Sequence, residues 1–149
     1  MPAVLLLAGA KPATAQGWRE TQLWGVALAS RPAVYALGLG TAWRDAGRTR
    51  IGIALAAGAT EHGAAAARVE AIWHFLLDPG RTHGLGIYGG GGLALTAVQD
   101  STVRPFVEAL LGVETGPASR ASFFIEAGFG GGARAAMGVR WRKQNAPGR

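Results

Sequence analysis

The sequence lacks cysteine, has few charged residues and contains no long apolar run, and each absence excludes a class of protein. With no cysteine among 149 residues, the chain can form no disulfide framework, thiol nucleophile or cysteine-ligated zinc site. Charged residues make up 16% of the chain, against roughly 25% in soluble domains. No segment offers about 20 apolar residues without a glycine or a charge, so a transmembrane helix is not expected.

Histidine is scarce as well, and its spacing is uninformative. The three histidines are His62, His74 and His83. None occurs in a His-x-Ser pattern, and their spacing does not match the i, i+2 or i, i+4 arrangement of a metal site. We therefore predict no catalytic residue, no metal site and no cofactor.

The basic residues are dispersed, although the formal net charge is +6. Nucleic-acid binding requires a basic stripe or patch, and none is visible, so we predict no nucleic-acid partner. The arginines fall at expected strand ends and turns, where they would be solvated or would contact anionic lipid headgroups. They are Arg44, Arg48, Arg50, Arg81, Arg120 and Arg142.

Glycine is abundant, with 24 residues, and the chain alternates with a period of two. Leu37 and Leu39 alternate with Gly38 and Gly40, a pattern typical of β-strands with two different faces. Turn residues separate eight such segments. The predicted strands are 21–30, 33–44, 49–59, 64–77, 84–98, 102–114, 120–130 and 133–142. Segment 64–77 is also compatible with a helix, but the alternation of Arg68 and Glu70 with apolar residues favours a strand.

The two faces of these strands predict where the protein is located. One face carries large apolar residues, and the other is mostly glycine and alanine. A soluble barrel would present the small face to water, whereas soluble surfaces are roughly 25–35% charged. Small side chains suit the narrow interior of an eight-stranded barrel whose apolar face contacts lipid. The pattern thus predicts an all-β, antiparallel, up-and-down transmembrane barrel. A secreted soluble barrel or sandwich that binds an apolar ligand is the alternative.

From Gln22 to Arg142 the chain resembles the small eight-stranded outer-membrane barrels of the OmpA/OmpX type, most clearly in the last strand, Ala135–Arg142. The resemblance implies a monomer in the bacterial outer membrane with both termini in the periplasm. Its partners would be membrane lipid, lipopolysaccharide and the outer-membrane insertion machinery. The expected role is structural or envelope-related, without a wide pore. An enzyme that modifies lipid A is a further alternative, and some barrels of this size have that activity.

The chain divides into three predicted parts. An apolar run followed by Ala13-Thr14-Ala15 predicts a signal peptide over 1–15 that lacks its basic segment; an ordinary first strand is the alternative. The barrel covers 21–142, and a polar tail covers 143–149.

Two sets of residues are predicted to mark the site. Charges of inward parity form a lumen network that holds the barrel shut or, alternatively, lines an ion path, with Glu126 and Arg140 as the favoured pair. Its members are Arg68, Glu70, His74, Arg104, Glu108, Glu114, Glu126 and Arg140. The membrane-interface aromatics are Trp24, Trp43, Trp73 and Trp141 at one rim and Tyr35 and Phe129 at the other.

Overall fold

The structure, a computed structural model, describes residues 17–45 and 47–144. The predicted signal peptide and residues 145–149 of the predicted tail lie outside these ranges. The eight strands are β1 (Trp18–Ala29), β2 (Val34–Arg44), β3 (Thr49–Thr60), β4 (Ala65–Leu76), β5 (Leu85–Val98), β6 (Arg104–Thr115), β7 (Ala121–Phe129) and β8 (Ala133–Gln144). In the part of the chain described, no helix is long and apolar enough to cross a membrane.

The strands form one closed antiparallel barrel in which each pairs with its neighbours in sequence, and β1 pairs with β8. The closing seam runs from Trp18↔Gln144 to Ala29↔Ala133. Following paired residues once around the barrel from Trp18 leads back to β1 at Leu28, a stagger of ten residues. Such a stagger tilts the strands, so residues far apart in sequence reach the same level of the lumen.

The predicted strands are confirmed in number, order and direction. Segment 64–77 is a strand and not a helix, since β4 covers Ala65–Leu76. Each strand bound lies within three residues of its predicted position. β1 begins at Trp18, three residues before the predicted start, and β8 continues to Gln144, two residues beyond the predicted end. These extra residues pair with each other across the closing seam.

The barrel has two different rims. The terminal rim is the one at which β1 begins and β8 ends, and it also carries the β2–β3, β4–β5 and β6–β7 loops. The β6–β7 loop folds inward there: Pro117 is fully buried, and the amide of Ala118 donates to the carbonyl of Arg81, 2.8 Å away. The other four connections form the distal rim.

The distal rim is uneven because one seam is short. β6 and β7 share six residue pairs, from Ala109↔Phe129 to Glu114↔Phe124, whereas every other seam has 9 to 12. The β5–β6 hairpin therefore projects beyond the β7–β8 turn, and residues 104–108 of β6 have no paired strand on that side.

Alternation of the side chains separates an apolar outer surface from a mixed interior. All eight strands contribute to a set of 24 large hydrophobic side chains that are exposed on the outside or in the adjoining turns. Among the described strands, outward positions carry charge only at Arg19 and Lys143, both next to the terminal rim. The apolar part of the interior forms two clusters in the described residues. The larger is built around Trp24, Val26, Leu28, Val34 and Phe124. The smaller consists of Ile72, Leu76, Tyr88 and Leu110.

Candidate functional site

The inward face of the barrel carries an unusual density of charge. Six arginines and five glutamates are buried there, namely Arg44, Arg50, Arg68, Arg134, Arg140 and Arg142 with Glu20, Glu70, Glu108, Glu114 and Glu126. An unpaired charge removed from water costs several kcal/mol, roughly the effective penalty per ion. Burial on this scale therefore requires that the groups satisfy one another.

The charges nearer the terminal rim form one group, the terminal cluster, made of Glu20, Arg44, Arg50, Glu114 and Arg142. Glu114 lies at its centre and accepts hydrogen bonds from Arg50 at 3.2 Å and from Arg142 at 3.1 Å. Glu20 accepts from the same two arginines at 3.2 and 2.8 Å. Arg44 donates to the carbonyls of Pro79 and Pro117 and so ties two loops to the barrel wall.

The charges nearer the distal rim form a second group, the distal cluster, made of Arg68, Glu70, Glu108 and Arg134. Arg68 donates through Nε to Glu70 at 2.6 Å and through Nη2 to Glu108 and to the carbonyl of Gly130. Arg134 donates to the other oxygen of Glu70 at 3.1 Å. The Gly130 contact links this cluster to the β7–β8 turn.

Tyr88 of β5, Glu126 of β7 and Arg140 of β8 join the two clusters. Arg140 donates to Glu114 and to Glu126, both at 2.8 Å, and Arg134 reaches Glu126 at 2.9 Å. The hydroxyl of Tyr88 donates to Glu126 at 2.8 Å and accepts from Arg140 at 3.2 Å. Charge-assisted bonds of this kind are the stronger class of hydrogen bond, and here they run continuously along the lumen.

Glycines make room for the large side chains of the interior. Tyr88 lies opposite Gly112, Phe124 lies opposite Gly138, and Trp24 has Gly38 on one side and Gly138 on the other. A Cβ at Gly112 would overlap the Tyr88 ring, and one at Gly38 would lie 2.7 Å from Trp24 Nε1. The small residues that alternate along the strands thus provide the surface against which these rings pack.

Little space remains between the side chains at mid-lumen. The cavity beside Glu70, His74 and Glu126 has a volume of about 10 Å³, which is at most room for one water molecule. His74 lies against it with Nε2 3.8 Å from Glu126 Oε1, and neither ring nitrogen has a hydrogen-bond partner among the described residues.

The structure buries seven of the eight charges predicted for the lumen network and brings them into contact. Glu126 and Arg140, the favoured pair, are 2.8 Å apart. Arg104 is the exception, and its prediction is wrong: it has the inward parity of Glu108, yet it is exposed at the distal rim. The reason is the short β6–β7 seam, because Arg104 lies five residues beyond Ala109, where pairing with β7 ends.

Sequence reasoning missed several members of the network. Arg44, Arg50 and Arg142 were expected to be solvated at strand ends, but all three are buried. Glu20 precedes the predicted first strand, and Arg134 and Tyr88 were not assigned to the network. For β8 the signal was parity, because Arg134 and Arg142 each lie an even number of residues from Arg140, a recognised inward position on the same strand. Glu20 gave no such signal, because it has the parity of Trp24, which was expected to face lipid.

The structure places five of the six predicted interface aromatics on the outer surface and one in the lumen. Trp43, Trp73 and Trp141 are 48%, 51% and 46% exposed and face outward near the terminal rim, and Tyr35 and Phe129 are exposed near the distal rim. The prediction for Trp24 is wrong, because this side chain is 2% exposed and lies in the lumen, with the Arg134 guanidinium 5.3 Å from the centre of its ring. It fits there because both of its paired neighbours are glycines.

The remaining histidines form no assembled site. His62 is in the β3–β4 turn at the distal rim and His83 in the β4–β5 loop at the terminal rim, and both are exposed. Within the described residues, no group of three or more histidine, aspartate or glutamate side chains could hold a metal ion.

The overall geometry, a closed eight-stranded antiparallel barrel with an apolar exterior, is that of small transmembrane β-barrels. No protein-family profile and no curated protein sequence matches this chain. Among solved structures, it resembles the N-terminal β-barrel domain of Pseudomonas aeruginosa OprF, with a TM-score of 0.58, 16% identity and coverage of 87% of this chain and 100% of that one. It also resembles a de novo designed transmembrane β-barrel, with a TM-score of 0.53, 14% identity and coverage of 83% and 95%.

Proposed function

We propose that this protein is a small barrel of the bacterial outer membrane with a structural, envelope-related role and a lumen closed by its own ion pairs. The observation that carries the proposal is the outer surface, where 24 large hydrophobic side chains of the described residues are exposed. Monomeric soluble proteins rarely expose apolar patches larger than roughly 300–600 Å². A lipid environment removes this cost, and barrel closure satisfies the backbone hydrogen bonds that lipid cannot.

The distribution of aromatic residues supports the same location. Trp43, Trp73 and Trp141 lie on the outside at one level, near the terminal rim. Tryptophan is enriched where the hydrocarbon core meets the headgroups. With an even number of strands both termini are at this rim, and we place it in the periplasm. The partners in this scheme are lipid, lipopolysaccharide and the insertion machinery.

The lumen supports a structural role better than transport. Eight strands enclose a space that side chains can fill, and here guanidinium and carboxylate groups occupy it at hydrogen-bond distance. Because these groups come from β1, β3, β4, β6, β7 and β8, their bonds cross-brace opposite walls. We infer a barrel that is rigid and closed to solutes.

The membrane proposal is tested by refolding the purified chain into phosphocholine vesicles. We expect folded and boiled samples to migrate differently on a denaturing gel, and we expect the folded chain to float with the vesicles. A chain that is folded and monodisperse in buffer without detergent or lipid would contradict the proposal and favour the soluble barrel.

The closed lumen and the envelope role need separate measurements. In planar bilayers we expect no stable porin-sized conductance, and regular large steps in most insertions would overturn closure. Deletion in the source bacterium is expected to increase uptake of a dye that the outer membrane normally excludes, with restoration by the wild-type chain. Unchanged uptake would contradict the envelope role, and an altered lipid A mass upon expression would favour an enzyme.

A further inference from the structure

A cavity of about 320 Å³ opens at the distal mouth of the barrel, next to the distal cluster. Its sides are the β1–β2 and β5–β6 hairpins, and the β7–β8 turn contributes Gly131. Its size falls at the lower end of ligand pockets, which measure roughly 300–1,000 Å³.

The walls of this cavity are chemically divided. Leu28, Val34, Val98 and Phe106 supply an apolar lining. Phe106 is partly buried, and its ring packs on Gly131, where a Cβ would lie 2.9 Å from it. A cavity with an apolar lining and a polar opening favours a ligand that has an aliphatic portion.

The edge of the cavity carries two arginines that have no carboxylate partner within the described residues. Arg31 and Arg104 both line it and are exposed, and among the described residues neither forms a side-chain hydrogen bond or ion pair. No aspartate or glutamate lines the cavity in the described part of the chain. This is the reverse of the lumen, where each of the six buried arginines contacts a carboxylate.

Thr96 connects the cavity to the distal cluster. It is buried, and its hydroxyl oxygen accepts a hydrogen bond from Arg68 at 2.6 Å. With the oxygen engaged in this way, the hydroxyl hydrogen can be donated to a group in the cavity, which Thr96 lines. The site therefore offers a buried donor in addition to the two guanidinium groups.

We propose that this mouth cavity binds a single-chain anionic amphiphile, with its carboxylate or phosphate head between Arg31 and Arg104 and its aliphatic chain against Val98 and Phe106. A bare anion would leave the apolar lining in water, and an uncharged amphiphile would leave both guanidinium groups without an opposite charge. The low wall at the β7–β8 turn gives the chain of the amphiphile a side entrance over Gly131. The proposal concerns the cavity itself and does not depend on the structural role.

The test is a titration of ¹⁵N-labelled protein in uncharged maltoside micelles, followed by NMR. Dodecanoate and dodecyl phosphate are the probes, inorganic phosphate is the control without a chain, and the maltoside serves as the uncharged amphiphile. We expect saturable shifts confined to the amides of Thr96, Val98, Phe106 and Gly131. Shifts that do not saturate, or that spread over the outer surface, would overturn the proposal, as would equal shifts with inorganic phosphate.

Paired variants separate specific binding from general attraction to positive charge. The double variant Arg31→Gln, Arg104→Gln is expected to weaken dodecanoate binding by at least about tenfold, because two charge-assisted contacts are lost. The control Arg48→Gln, Arg120→Gln removes the same charge from exposed positions at the terminal rim and is expected to bind normally. Equal loss in both variants would show that the site is not at the mouth.

A second arm identifies the source of the ligand. The protein is placed in phosphocholine nanodiscs, to which either free dodecanoate or the bilayer lipid phosphatidylglycerol is added. Saturation of the mouth residues by dodecanoate, displaceable by dodecyl phosphate, supports a single-chain ligand. Saturation by phosphatidylglycerol alone would overturn that assignment in favour of a bilayer headgroup.

Discussion

The two ends of the barrel place the same side chain in opposite situations. At the terminal end, Arg50 and Arg142 are buried and share Glu20 and Glu114, while Arg44 holds two loop carbonyls. At the distal end, Arg31 and Arg104 are exposed beside an open cavity and have no carboxylate partner among the described residues.

Whether an arginine of this barrel is paired depends on whether the wall around it is complete. Where all eight strands are present, inward arginines are enclosed and must be neutralised by neighbours. Where β6 extends past β7, an inward position opens to the outside and the guanidinium remains available. The arginines of the terminal end are therefore paired and buried, and those at the distal mouth line an open cavity.

The largest expected effect comes from Glu114→Gln in the terminal cluster. The change removes the carboxylate shared by Arg50, Arg140 and Arg142, and it leaves these guanidinium groups underneutralised. We expect a loss of about 3–5 kcal/mol in the free energy of unfolding, measured by denaturant titration in vesicles with tryptophan fluorescence.

Arg104→Gln at the distal end is the matched comparison. Because this side chain is exposed and contacts no carboxylate in the described structure, its loss should change stability by about 0.5 kcal/mol or less. If both variants lost similar stability, the distinction between the paired terminal arginines and the exposed distal ones would be untenable.

A second prediction contrasts the lumen with the outer surface by placing an arginine in lipid. Leu39 lies at the middle of β2, faces outward and is 64% exposed. Leu39→Arg should cost about 2–4 kcal/mol, the range for a charge at the bilayer midplane. Leu77 is equally exposed but lies just past the end of β4 at the terminal rim, so Leu77→Arg should cost about 0–1 kcal/mol. Equal costs for the two variants in vesicles would argue against a lipid-facing belt.

Much of this organisation could be predicted from the sequence because a period of two is a local property. It gave the number of strands, the outward positions of β2, β3 and β4, and the inward charges of β4, β7 and β8. The alternation fails where both faces are apolar. In β1, Trp24 and Val26 alternate with Gly25 and Ala27, and size alone suggested that the larger residues faced lipid.

In β1 the direction of each side chain depends on the pairing register with β2 and β8, and not on side-chain size. No single segment of the sequence encodes that register. Trp24 can enter the lumen because Gly38 and Gly138 lie beside it, and those glycines are 14 and 114 positions further along the chain. The buried arginines at the terminal end were missed for a related reason. Their burial depends on the β6–β7 loop, which folds across the opening of the barrel at the terminal rim. The sequence of this loop has no periodicity from which its position could be predicted.

The smallest expected effect concerns the packing of the Tyr88 ring against Gly112. Gly112→Ala places a methyl group against the Tyr88 ring, whose hydroxyl bridges Arg140 and Glu126. Overpacking should cost about 1–3 kcal/mol. Gly89→Ala is the control, because Gly89 has the opposite parity and its Cβ would meet Leu111 Cδ2 at an ordinary 3.5 Å, which predicts a change within about 0.5 kcal/mol. The free energies of unfolding of the two variants, measured in the same vesicles, decide between them. An unchanged Gly112→Ala barrel would mean that Tyr88 moves aside at no cost. Its hydroxyl would then add nothing to the bonds by which Arg140 and Arg134 hold Glu126 and join the two clusters.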